Sequence, residues 1–344
     1  MEKPNRIKGL HDIDLTDVPS GQIRYIDVYF GGECDLSCLY CFTDHKKGKI
    51  TTDNRKDLLH QAKDLGAESF VCTGAGEPLL DRGFREIIAY AYNLGMASII
   101  YTNGCNIDEA LAKFMYEHDV SPLVKLESLN PEIHDRITRK RGSQNTAMRG
   151  IEYLLSAGYG NVSEGTTRLG VASVYTKLNI QGLPQLKDYC DSRGILLMAD
   201  ELGLEKTASD NRKQLYVEKQ EIDRIKTELG IVESGIGSIH SSNETTCNFA
   251  DYGLRIDQDG NVSYCTMQDL GGIVGNVLDE SLKDVVKGIK IAKRVAIREK
   301  MKTIGQVNDA LGRASLPYSI EFPLGTCPFK AGDNLEVKMR EEND

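Results

Sequence analysis

The chain has 344 residues, 40% apolar and 27% charged, with a formal net charge of −9. A chain of this size buries an ample core, and its negative charge argues against a broad phosphate-binding surface, so nucleic acid is not an expected partner. No apolar run approaches the roughly 18 residues of a membrane span, and the opening MEKPNRIKGLHDIDL has no signal-peptide core, which places the chain in the cytoplasm.

Residues 1–20 are an extension before the first strand. From residue 22 one rhythm recurs: a β-branched or aromatic run, a polar or Gly-containing loop, then a helical pattern. The expected strands are 23–30 (IRYIDVYF), 68–73 (ESFVCT), 96–102 (MASIIYT), 123–127 (LVKLE), 168–175 (RLGVASVY) and 195–200 (ILLMAD). Helical patterns lie near 53–65, 82–94, 108–118, 143–157 and 182–193, and Gly66, Gly95, Gly158 and Gly194 each close one before the next strand. Six βα units over 21–205 imply an α/β fold, a partial (β/α)6 barrel short of the eight units of a closed one. The basic run RITRKR at 136–141 reads as a solvated helix start, with an anion-binding surface as the alternative.

Residues 206–245 turn polar and read as a connecting region with one helix at 218–229. A hairpin follows at 252–265, around Asp259 and Gly260, and then an amphipathic helix at 281–301. These make a small α+β unit over 246–330, ahead of a charged tail at 331–344.

Nine cysteines, an odd number, fit a secreted disulfide framework poorly. Cys34, Cys38 and Cys41 stand as CxxxCxxC in GGECDLSCLYCF (31–42), on the loop after the first strand. Three thiolates can close around an iron-sulfur cube and leave one iron open, whereas structural zinc asks for four ligands, with His45 the local candidate. The next strands end in TGAGEP (73–78), TNGC (102–105) and ESLN (127–130), and in a parallel sheet all these ends share one side.

This combination resembles the radical SAM superfamily. The resemblance implies that Cys34, Cys38 and Cys41 bind a 4Fe-4S cluster whose open iron is chelated by S-adenosylmethionine, which is cleaved to a 5′-deoxyadenosyl radical. Tyr40 matches the family's aromatic residue near adenine. Gly74, Ala75, Gly76, Glu77 and Pro78 match its GGEP-like turn, which meets the methionine amino group; Ala75 departs from the usual Gly. Thr102, Asn103 and Gly104 match a third-strand TNG, and Glu127 and Ser128 fall where polar groups meet the ribose or the methionine carboxylate. Ser173, in the fifth strand, and Met198, in the sixth, are expected beside adenine. Cys105, on the active face, is a candidate hydrogen-atom donor, with packing as the alternative. Cys72, just before the GAGEP turn, is a second candidate that burial alone would explain, and Cys190 reads as packing.

Cys247 and Cys265 bracket the hairpin, and together with GNVSYC, IVGNV (273–277) and Cys327 in GTCPF they resemble the SPASM or twitch auxiliary-cluster module. A full SPASM module has a denser run of cysteines than this chain offers. The resemblance implies a second 4Fe-4S cluster on Cys247, Cys265 and Cys327, with Asp251, Asp257, His240, a remote cysteine or substrate as fourth ligand. The expected function is that of a radical SAM oxidoreductase acting on a small molecule of sugar or aminocyclitol type, by dehydrogenation or epimerisation. The roughly 20 residues before the first strand are too few for a leader-binding domain, yet modification of a ribosomally made peptide stays the alternative. A flavodoxin- or ferredoxin-type electron donor is the implied partner. A non-catalytic iron-sulfur electron carrier, or a zinc-stabilised binding protein, is the reading from another class.

Overall fold

The computed structural model describes residues 2–14, 18–19, 21–43, 45–203, 206–232, 253–263, 273 and 275–288. Cys247, Cys265, Cys327, His240 and Asp251 lie outside them, as do the charged tail and most of the helix expected at 281–301, of which 282–288 is helical.

Six strands form as the sequence rhythm requires: β2 (Tyr25–Val28), β3 (Ser69–Cys72), β4 (Ala97–Thr102), β5 (Val120–Lys125), β7 (Gly170–Val174) and β8 (Leu196–Asp200). They pair in parallel, in that order, as the α/β partial barrel demands. The helices α1 (Thr52–Asp64), α2 (Phe84–Asn93), α3 (Glu109–Glu117), α4 (Pro131–Thr138), α5 (Ser143–Ser156) and α6 (Leu183–Asp191) fall between them. Local chemistry starts them: Thr51 and Asn54 make a reciprocal capping box on α1, and the Asp108 side chain accepts from Leu111 N at the head of α3. Gly95 and Gly194, both at φ +68°, make the left-handed exits from α2 and α6.

Two expectations are corrected. β5 begins at Val120 rather than 123 and runs through Pro122, so Glu127 lies in the loop beyond it. The RITRKR run is not a helix start: α4 ends at Thr138, Arg139 takes a left-handed φ of +57°, and the remainder makes the turn into α5. Asn130 caps α4, with Pro131 in its first turn.

Two single turns, α7 (Thr207–Asp210) and α8 (Arg212–Leu215), precede α9 (Lys219–Leu229). The expected hairpin is β9 (Gly253–Ile256) and β10 (Asn261–Ser263), with β11 (Gly275–Asn276) beside β10. It does not stand apart from the barrel, because β9 pairs in parallel with β2 and extends the same sheet to nine strands.

Strand alternation divides the interior in two. Ile26, Val28, Phe70, Ile100, Val124 and Leu197 face the helices. Tyr25, Val71, Ile99, Leu123, Leu196 and Met198 face inward, where Ile7, Leu10 and Ile13 of the N-terminal extension cover them. The extension is tied down by β1 (Arg6–Ile7), which pairs with β6 (Thr166–Thr167) just ahead of β7. Each such fully buried side chain contributes about 1.5–3 kcal/mol, so the extension forms a stable floor at the amino ends of the barrel strands. Among the described residues no helix is long and apolar enough to cross a membrane.

Candidate active site

The loop after β2 carries Cys34, Cys38 and Cys41, all partly exposed. Ser37 N and Leu39 N donate to Thr138 O and Ile137 O at 3.2 and 2.8 Å, pinning the loop to the end of α4. Cys41 N donates to Cys38 O at 3.1 Å, and Cys41 Sγ lies 3.2 Å from Thr43 Oγ1 and 3.4 Å from His45 Nε2. Burial pushes the Cys34 thiol up to about 11 and the Cys38 thiol higher still. A bound iron's charge would reverse that balance and favour the thiolates. Among the described residues no three His, Cys, Asp or Glu side chains converge as one metal ion requires. Three cysteines on one loop can each take one iron of a cube and leave the fourth open, so the donor set fits a 4Fe-4S cluster.

The GAGEP turn packs backbone to backbone on this loop. A Cβ at Gly76 would lie 2.4 Å from Glu33 O and 2.5 Å from Gly32 C, and Gly74 takes φ +86°. Glu77, 2% exposed, donates its N–H to Glu33 O at 2.7 Å. Its carboxylate accepts from Thr102 Oγ1 (2.5 Å), Leu79 N (3.1 Å) and Asn103 N (2.7 Å). Burial pushes this carboxyl up to about 7 against the pull of those bonds. Asn103 Nδ2 donates to Asp35 Oδ1 at 2.7 Å, and Lys140 Nζ takes the other Asp35 oxygen at 2.8 Å. One chain of polar contacts thus joins the GAGEP turn, the TNG turn, the cysteine loop and the α4–α5 turn.

Glu127, 1% exposed, is a second hub. Tyr40, beside Cys41, donates its hydroxyl to Oε1, while Ser173 Oγ (2.9 Å), Val174 N (3.1 Å) and Asn179 Nδ2 (3.3 Å) donate to Oε2. Lys125 Nζ lies 3.8 Å from Oε1 and 5.4 Å from the Tyr40 ring centroid. Glu127 N donates to His134 Nδ1 at 3.2 Å, and burial lowers the pKa of that imidazole, keeping it the neutral acceptor this bond needs.

The structure therefore brings together Cys34, Cys38, Cys41, Tyr40, Gly74, Ala75, Gly76, Glu77, Pro78, Asn103, Glu127 and Ser173. Others stand elsewhere. Ser128 Oγ accepts from Asn130 N at 3.1 Å and shapes the entry to α4. Met198 is fully buried in the floor with Ile7 and Leu10, which separates it from the other candidates and gives its place beside adenine no support. Cys72 is fully buried in the core between sheet and helices, and Cys190 packs in the same core. Cys105 Sγ accepts from Thr146 Oγ1 at 3.2 Å and lies 3.8 Å from Ser143 O, held towards α5, so neither Cys72 nor Cys105 gains support as a hydrogen donor. The Asp257 carboxylate accepts from Asp259 N, Asn261 N and Asn261 Nδ2 at 2.9, 2.9 and 3.0 Å; it closes the β9–β10 turn and is not spare as a cluster ligand. Sequence reading missed Asp35, Lys125, His134, Lys140 and Asn179. Asp35 carried a signal as a charge inside the ligand loop, and Lys140 as a member of the basic run at 136–141.

Residues 28–171 match the Radical SAM superfamily. Among curated relatives, the Fe-coproporphyrin III synthase of Methanosarcina barkeri is 27% identical over 47% of this chain and 39% of its own length. The sporulation killing factor maturation protein SkfB of Bacillus subtilis is 22% identical over 85% of this chain and 71% of its own. The chain thus spans about two fifths of the first and about seven tenths of the second. Among solved structures, Streptococcus suis SuiB bound to S-adenosylmethionine superposes with a TM-score of 0.63 at 17% identity, over 77% of this chain and 65% of SuiB. SuiB has also been solved bound to its precursor peptide SuiA.

Proposed function

We propose that the protein is a radical SAM maturase modifying a ribosomally synthesised peptide: its residues 28–171 match the Radical SAM superfamily, whose members take a 4Fe-4S cluster and S-adenosylmethionine as cofactors. The observation that carries the peptide reading is the reach of the SkfB match. It runs over 85% of the chain and so beyond the shared barrel, whereas the porphyrin-synthase match covers 47%. The maturase relatives favour this peptide alternative over the sugar or aminocyclitol substrate expected from the sequence.

When bound, the cluster and S-adenosylmethionine supply the reductive cleavage that generates a 5′-deoxyadenosyl radical. The chain's own residues bind and orient. Cys34, Cys38 and Cys41 would hold the cluster, the Gly74–Pro78 turn would present its backbone to the methionine amino group, and Glu127 fixes Tyr40 beside the loop. The apolar floor closes the barrel against water from below. Cys247, Cys265 and Cys327, in the unit at 246–330, extend the proposal to an auxiliary cluster that accepts the second electron. Arg136, Arg139 and Arg141, exposed where the α4–α5 turn meets the cysteine loop, suit an acidic flavodoxin or ferredoxin as electron donor.

The test is co-expression with any short peptide encoded beside the gene, followed by mass spectrometry. The reading predicts a peptide lacking two hydrogen atoms per modification, with 5′-deoxyadenosine formed in step. An unmodified peptide, with 5′-deoxyadenosine released only when a sugar or aminocyclitol is supplied, would return the assignment to small molecules.

A further inference from the structure

β9 lies outside the matched residues 28–171, yet its register places Arg255 directly across from Asp27 of β2. Asp27, two residues along β2 from Tyr25, points to the same face as that floor residue, and a Cβ on Gly253 would lie 2.0 Å from the Tyr25 ring. Asp27 and Arg255 therefore share the inner face of the barrel. Asp27 is fully buried and Arg255 is 2% exposed, with its guanidinium 5.3 Å from the Tyr29 ring centroid. The Asp27 carboxylate accepts from Thr73 N at 3.1 Å and from Thr73 Oγ1 at 2.7 Å. Thr73 leads directly into Gly74.

We infer that Arg255 is a positioning residue for the S-adenosylmethionine turn: it balances the buried charge of Asp27, and Asp27 in turn fixes the backbone and hydroxyl of Thr73 from which Gly74–Pro78 springs. The inference rests on the radical SAM reading, and it makes a strand from the C-terminal part of the chain a requirement for cofactor binding in the barrel. An uncompensated buried carboxylate takes a proton, and a protonated Asp27 no longer accepts both Thr73 bonds at full strength. Burial already raises Asp27 to about 6, against the Thr73 hydrogen bonds and Arg255, which lower it. Tyr29, on its own strand's extension, also faces it, while Cys72 on β3 lies nearby on the helix side of the sheet. Burial holds both above their ordinary values, so they are uncharged at neutral pH, and among the described residues Arg255 supplies the charge.

The experiment uses full-length, anaerobically reconstituted protein and measures S-adenosylmethionine affinity by equilibrium dialysis across neutral to alkaline pH, with iron content and melting temperature alongside. Arg255→Met is expected to keep its iron, to bind about tenfold more weakly than wild type at neutral pH, and to recover towards wild type as alkali ionises Asp27. Arg255→Lys should stay within about threefold throughout. The double variant Arg255→Met/Asp27→Asn removes both buried charges, guards against a folding failure, and should bind weakly at every pH. Wild-type affinity in Arg255→Met, or a deficit that does not change with pH, would overturn the inference. Failure of wild-type protein to bind S-adenosylmethionine at all would instead strike the underlying reading.

Discussion

Glu127, itself buried, accepts from three side chains and one backbone N–H, so removing its carboxylate strands several donors at once. Glu127→Ala should cost about 3 kcal/mol of stability, read by denaturant unfolding, against about 1 kcal/mol for Tyr40→Phe. Glu77 gives a pH signature. Its carboxyl stands at about 7 in the fold against 4.5 ordinarily, so the folded chain holds a proton that the unfolded chain releases. The stability it contributes is full below about pH 4.5 and is lost as the pH rises through about 7. Asp27, raised from 3.8 to about 6, adds in the same direction at slightly lower pH. The melting temperature of cofactor-free protein should therefore fall between about pH 5 and 7.5, and Glu77→Gln should flatten that slope. A melting temperature that climbs over this range would contradict the assignment.

At the scale of elements, the turns matter through their backbones. Gly76→Ala places a methyl within 2.5 Å of the cysteine-loop backbone, so the two loops must part, and reconstituted iron should drop well below wild type. Unchanged iron and S-adenosylmethionine binding would show the packing to be incidental. Where the α4–α5 turn meets the cysteine loop, reversing Arg136 and Arg141 to Glu should slow cluster reduction by a flavodoxin about tenfold at low salt while leaving reduction by a small neutral photoreductant unchanged. Equal rates with the flavodoxin would remove this surface from electron delivery. The six barrel strands were legible because strands buried on both faces read as β-branched runs between glycine-closed helices. The early start of β5 was hidden by Pro122, which argues against a central strand, and α4 by its eight residues behind Asn-Pro. Motif spacing located the three converging loops, since each sits at a strand's carboxyl end. It could not reveal Met198 as floor, because depth along a strand leaves no periodic trace, nor contacts such as Tyr40–Glu127 across 87 positions.

For the molecule as a whole, the N-terminal extension and β9 both complete the barrel from outside the βα rhythm, one as its floor and one as an added strand. Leu10→Ala should cost about 2–4 kcal/mol, like any large-to-small change in a packed core, and lower the melting temperature of the entire barrel in one transition. The central claim is that Cys34, Cys38 and Cys41 hold a cluster that S-adenosylmethionine binds. It is tested most directly by iron and sulfide analysis with reduced-state EPR, with and without S-adenosylmethionine, on wild type and a Cys34/Cys38/Cys41→Ala variant. The predicted result is about four irons fewer in the variant, together with loss of the one signal that S-adenosylmethionine perturbs. A variant that keeps its iron and an S-adenosylmethionine-responsive signal, or a wild type that takes up zinc in place of iron, would contradict it.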